Sequence, residues 1–223
     1  MKKWLSLLLS MTLAFSLAAC SGGSPSSSDN APFEPSAQPS EPSTQTSESP
    51  VSETPAQTTE STSETGGILI AYFSWSGNTE QMAQMIQAET GGDLFEIAPA
   101  TPYTDNYNEL LDIAQQEQAD EARPALANRV ENWDGYDVVF VGYPDWWSDA
   151  PMLIYSFLEV YDWEDKALVP FCTSGGSGFG RSLNKLSDSA SGATILEGLH
   201  VSGSRVEEAG EDIADWIGGL DLT

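Results

Sequence analysis

The chain has 223 residues, with 34 carboxylates against 8 lysines and arginines and a formal net charge of −26 at pH 7. A surface that acidic repels nucleic acid and anionic lipid, so neither is expected as a direct partner. Two cysteines and one histidine, His200, leave no disulfide framework and argue against a cysteine or histidine metal site and against a Ser-His-Asp triad.

Met1, Lys2 and Lys3 form a positive start, and residues 4–19 are an apolar run too short to span a bilayer comfortably. The run ends in Leu17-Ala18-Ala19-Cys20, which resembles the lipobox of bacterial lipoprotein signals. That resemblance implies removal of a signal peptide at 1–19, a diacylglycerol on the Cys20 thiol, and a chain anchored to a membrane outside the cytoplasm. Residues 20–66 are almost free of aliphatic side chains and rich in Ser, Thr, Pro, Glu and Gln. Such a stretch cannot bury enough apolar surface to offset the entropy of ordering, so it is expected to be a solvated tether, spanning about 35–40 Å r.m.s.. Residues 67–223 have the length and apolar content of one domain. With the two leader lysines and the seven carboxylates of the tether set aside, that domain carries −21.

Its first stretch, Ile68-Leu69-Ile70-Ala71-Tyr72-Phe73, reads as a buried strand. A turn follows, and residues 79–89 read as a helix with Met82, Met85 and Ile86 on one face. Strand, tight turn and helix point backbone N–H groups and a positive dipole end at one anion. Ser74, Ser76, Asn78 and Thr79 add side-chain donors around Trp75, and Gly77 permits close backbone approach. The turn has no Lys or Arg, and neither G-x-x-x-x-G-K-[ST] nor G-x-G-x-x-G occurs there. A single phosphate monoester held by neutral donors fits best.

Residues 93–97 alternate as a second strand, and Tyr107, Leu110, Leu111 and Ala114 predict an amphipathic helix over 106–121, ended by Arg123-Pro124. Residues 137–142 form a near-continuous apolar run, as a strand covered on both faces requires. It leads into Pro144, Asp145, Trp146 and Trp147, and two adjacent tryptophans in a loop are costly to leave in water unless they cover something flat. One of the pair is expected to pack on the domain itself. Pro151 opens a helix to about Glu159. Residues 167–172 predict a fourth strand, whose following loop is Thr173-Ser174-Gly175-Gly176-Ser177-Gly178-Phe179, rich enough in glycine for main-chain groups to meet a planar ligand edge. Cys172 reads as a core thiol. Residues 194–196 give a short fifth strand, His200 lies just past it as a surface or hydrogen-bonded residue, and residues 206–220 form a closing helix with Ile213 and Trp216 inward.

Ser74-x-Ser76-Gly77-Asn78-Thr79 after a first strand resembles the phosphate loop of flavodoxins, which hold the 5′-phosphate of FMN this way. Gly142-Tyr143-Pro144-Asp145-Trp146-Trp147 is similar to the second flavin loop of a lipoprotein-like subgroup of that family. The glycine-rich loop is similar to that subgroup's Thr-His-Gly-Gly-Ser-Gly, with Ser174 standing for the histidine. The resemblance covers nearly all of residues 67–223 and implies an α/β fold: a doubly wound five-stranded parallel sheet, order 2-1-3-4-5, with helices on both faces. It implies FMN as cofactor, bound by the three loops, and electron transfer with a redox protein or quinone as partner. Stacking by Trp146 or Trp147 and the acidic surface would both disfavour the reduced, anionic flavin. Two other classes stay open on the sequence: an NAD(P)H-dependent quinone or flavin reductase, and a non-redox binding module that has lost FMN.

Overall fold

A computed structural model describes residues 66–222. The signal, Cys20 and tether expectations therefore lie outside the described residues. Six strands and five α-helices follow in this order among the described residues: β1 (Gly67–Tyr72), α1 (Asn78–Thr90), β2 (Asp93–Glu96), α2 (Tyr107–Ala119), β3 (Tyr136–Pro144), α3 (Met152–Leu158), β4 (Ala167–Ser174), α4 (Ser182–Ser189), β5 (Thr194–Ile195), β6 (Leu199–Ser202) and α5 (Gly210–Gly219). All strand pairings within the sheet are parallel, and the order is β2-β1-β3-β4-β5, as expected for the flavodoxin-like α/β fold.

The central strands sort their side chains with period two onto the faces of the sheet. Leu69, Ala71, Val139, Val141, Tyr143, Leu168 and Cys172 face one core, with Leu153, Phe157 and Trp163. Ile70, Tyr72, Val138, Phe140, Val169 and Phe171 face the other, with Met82, Ile86 and Ile213 from α1 and α5. Burial on both sides explains why these strands read as unbroken apolar runs.

Two expectations are corrected, and one helix was missed. The single fifth strand is two, β5 against Ala167 and Leu168 and β6 against Phe171 to Ser174, both on the same side of β4. The break sits opposite Pro170. The Leu168 carbonyl accepts from Leu196 N–H on that side; two residues on, Pro170 faces the same way and has no N–H to offer the ladder. Residues 203–208 are a 3₁₀ turn, and the closing helix begins only at Gly210. Helix α4 was not anticipated: among its eight residues only Leu183 and Leu186 are apolar. Ile213 is buried, and Trp216 packs edge-on against Phe140, as the pattern required.

Candidate functional site

The loops after β1, β3 and β4 leave the same edge of the sheet, the carboxyl ends of its parallel strands. In a doubly wound sheet ligands bind at that edge, where the strand order reverses. The order here reverses between β1 and β3. A cleft of about 820 Å³ opens there, lined from the first loop by Trp75, Ser76 and Asn78, from the second by Pro144, Asp145, Trp146 and Trp147, and from the third by Thr173, Ser174 and Gly175. Two further walls come from α2, with Tyr107, Leu110, Leu111 and Ala114, and from Ser202, Gly203 and Ser204 at the end of β6.

In the first loop Gly77 N–H donates to Ser74 Oγ at 3.1 Å, and the Gly77 carbonyl accepts from Gln81 N–H at 2.9 Å, the first bond of α1. Gly77 stands at φ 89°, which a side chain adopts only with strain. It caps α1 without any side-chain hydrogen bond, so the first amides of the helix are not taken up by a cap. Thr79 is buried, and its hydroxyl is shared with Thr173 at 2.9 Å. Its side chain therefore ties the first loop to the third instead of reaching into the cleft.

The two tryptophans divide their work. Trp146 is half-buried and meets Phe73 and Tyr103 edge-on, both at 5.3 Å, as an anchor in the domain's own core. Trp147 stays 45 % exposed, with its ring N–H on the Leu111 carbonyl at 3.0 Å. Across the cleft, Trp75 donates to the Thr104 carbonyl and lies against Tyr107, itself 59 % exposed, at 6.0 Å. Trp147 and Tyr107 thus line the cleft with much of their surface still exposed to water.

Trp147 and Ser148 both take left-handed backbone, at φ 55° and 58°. Two such residues in a row without glycine hold strain, and something must hold them. Trp146 and Asp149 exchange backbone hydrogen bonds at 2.9 and 3.2 Å, and Arg181 N–H donates to the Ser148 carbonyl at 2.8 Å. The Asp149 carboxylate, 0 % exposed, accepts from Ala150 N–H, from Tyr155 hydroxyl at 2.6 Å and from Lys185 Nζ at 2.6 Å, with Arg181 at 3.6 Å. Helix α4 is what clamps the tryptophan loop.

Asp145 accepts from Ser177 Oγ at 2.6 Å through Oδ2, while Oδ1 is buried without a well-formed hydrogen bond. Burial pushes its pKa up, against the lowering effect of Ser177 and the Ser148 backbone. Cys172 lies beneath, its thiol pushed up by burial and by Asp145, so it stays a protonated core side chain. Of the expected residues, Gly176, Ser177 and Gly178 continue the third loop beyond the cleft wall, and Phe179 packs into the core against Tyr143. Residues missed on the sequence were the α2 wall, the Ser202-Gly203-Ser204 turn and the Asp149 clamp. The first two carried a signal: an amphipathic stripe, and a second hydroxyl-glycine run next to a strand.

A parallel sheet of this order, with its cleft built on the loops of the switch point, defines a flavodoxin-like α/β protein. The family model described as Flavodoxin matches residues 67–220, and the chain belongs to the flavodoxin family. A solved structure from Bacteroides uniformis, described as a flavoprotein, is 30% identical and has a TM-score of 0.62, covering 70% of this chain and 99% of that one. One from Bacteroides eggerthii, likewise described, is 38% identical with a TM-score of 0.57, covering 67% and 98%. A flavoprotein in complex with FMN from Lactobacillus acidophilus shares the fold at 23% identity and a TM-score of 0.54, covering 64% and 97%. No curated protein matches the chain. Among the described residues no helix is long and apolar enough to cross a membrane, and no cluster of metal-ligating side chains occurs.

Proposed function

We propose that this domain binds FMN in the cleft and serves as an electron-transfer flavoprotein, held at a membrane surface through Cys20. The observation that carries the reading is one cleft combining a lysine-free amide turn at the start of α1 with exposed aromatic rings, Trp147 and Tyr107, among its lining. Ser76, Asn78 and the first amides of α1 would hold the phosphate by neutral donors. Trp147 and Trp75 offer the flat apolar surfaces a ring system needs, and Ser174, Gly175 and Asp145 stand where its polar edge would fall. The bound flavin would supply the one- and two-electron chemistry; the chain binds it, orients it, excludes water and sets its field. Asp145, among a net −21, opposes added negative charge beside it. FMN in the Lactobacillus acidophilus flavoprotein, which shares the fold, supports the choice of cofactor.

Titration of the apoprotein with FMN and with riboflavin tests the site. Each lost hydrogen bond to a charged acceptor costs about 1.5–3 kcal/mol, so riboflavin is expected to bind at least tenfold more weakly. Equal affinities would overturn the phosphate assignment. Addition of NADH or NADPH to the loaded protein separates a carrier, which stays oxidised, from a reductase. Mass spectrometry of the mature N-terminus tests the anchor: an acylated Cys20 is expected, and an unprocessed chain starting at Met1 in the cytosol would overturn it.

A further inference from the structure

Ser174 sits at the end of β4, with its side chain behind the glycine loop and its partner on the next strand. Its Oγ accepts from Gly176 N–H at 3.0 Å and from Gly178 N–H at 3.2 Å, and it lies 2.7 Å from Nε2 of His200 on β6. A serine hydroxyl has two acceptor lone pairs and one proton to give. The two amides take both lone pairs. The hydroxyl proton must therefore go to His200, and Nε2 must be a bare acceptor. His200 is then the neutral ring carrying its proton on Nδ1.

We propose that His200 and Ser174 form a proton-linked latch that holds the third loop in its ligand-binding shape, with His200 as a positioning residue for the cleft. A protonated ring has an N–H at both nitrogens. Its Nε2–H would be a third donor aimed at an oxygen with two lone pairs, so Ser174 must release the Gly176 or the Gly178 amide. Those two residues hold φ at 135° and 65°, backbone that the two hydrogen bonds help to fix. The next side chain, Ser177, is bonded to Asp145 in the second loop, so release is felt on both sides of the cleft. Binding at the cleft favours the closed loop and hence the neutral ring, and by linkage acid weakens it.

The charged groups near the ring come from the second loop, the 3₁₀ turn and α5. Arg205 from the 3₁₀ turn and Asp212 and Asp215 from α5 line a pocket together with His200, and Asp145 in the second loop interacts with it electrostatically. Cys172, its register partner on β4, stays neutral. His200 is the one histidine of the sequence, so comparison with a histidine-free variant isolates this ring.

The latch rests on the FMN reading for its ligand, but its tautomer does not. Side-chain ¹⁵N shifts of the full chain, carried without a histidine tag, are expected to place the proton on Nδ1 at pH 8; a proton on Nε2 would overturn the latch whether or not flavin binds. Where flavin binds, wild type is expected to lose roughly fivefold more FMN affinity than His200→Gln between pH 8 and 5, the scale of one released amide bond. Glutamine keeps an acceptor for Ser174 and takes no proton, so it should bind as wild type does at pH 8. The ionisation of FMN's own phosphate is common to both proteins and cancels in the comparison. Ser174→Ala should bind more weakly at every pH and show no histidine step. An equal acid loss in wild type and His200→Gln would overturn the proposal, whereas absence of FMN binding at pH 8 would overturn the FMN reading alone.

Discussion

Gly77 is the residue whose backbone the first loop most depends on, and a graded series tests it. Its φ of 89° lies in left-handed space, yet a Cβ added there meets nothing within 4 Å. The cost of a side chain is thus conformational and not a clash with the protein. Left-handed backbone costs an ordinary residue about 1–2 kcal/mol, less for Asn and more for a β-branched residue. Escape to another turn would sacrifice the bonds from Gly77 to Ser74 Oγ and from Gln81 to Gly77, so relaxation is no cheaper. Gly77→Ala should therefore weaken FMN binding by roughly 5–30-fold at a tenfold change per 1.4 kcal/mol, or lower the apoprotein's Tm by about 2–8 °C. Gly77→Val should lose more and Gly77→Asn least. Flavin fluorescence quenching gives the affinities, and thermal unfolding of apoprotein gives the stability share. Equal losses for Asn, Ala and Val would refute the argument from φ and put bound ligand against the Cα itself.

Two further substitutions probe the carboxylates behind the cleft. Asp149→Ala leaves the Tyr155 hydroxyl and the Ala150 amide buried without their acceptor, at about 1–3 kcal/mol each, so apoprotein Tm should fall on the order of 10 °C; a fall under about 2 °C would show that Lys185 and Arg181 do not hold this turn. Asp145 is pushed up by burial, so its share of stability is complete below the ordinary value of 3.8 and is lost as pH rises through the raised folded value. Asp145→Asn should accordingly be at least as stable as wild type at neutral pH by chemical denaturation, with no advantage below about pH 4. The same change should raise the flavin's reduction potential in redox titration, and a lowered potential would contradict the assigned field.

Much of the architecture was legible because it depends on local rules. Residues 68–73, 138–141 and 167–172 run without polar alternation, as a strand covered on both faces requires. The first and third loops declared themselves through glycine and hydroxyl residues, since positive φ and main-chain donors are properties of a few adjacent residues. The sorting of the tryptophan pair was different. Composition required that something flat or buried meet Trp146 and Trp147, but Phe73 and Tyr103 had to come from other elements to select Trp146 as the anchor. Likewise Tyr107, Leu110, Leu111 and Ala114 announced an apolar helix face, while the packing of α2 decided that this face both fills core and walls the cleft.

Tertiary structure alone decided the rest, because the partners are distant in the chain. Asp149 reads as one more loop carboxylate until Tyr155 and Lys185, the latter 36 residues on, surround it and make it a buried clamp. Pro170 fits an apolar strand by sequence, and only its facing toward β5 and β6 splits the fifth strand there. His200 is a lone histidine whose part depends on one 2.7 Å approach to Ser174, set by the parallel register of β6 on β4. Sequence by itself determined which segments bury, turn and donate, since those follow from side chains within a few residues. Which donor meets which acceptor depended on strand order and register, which arise only when the whole sheet closes its two cores.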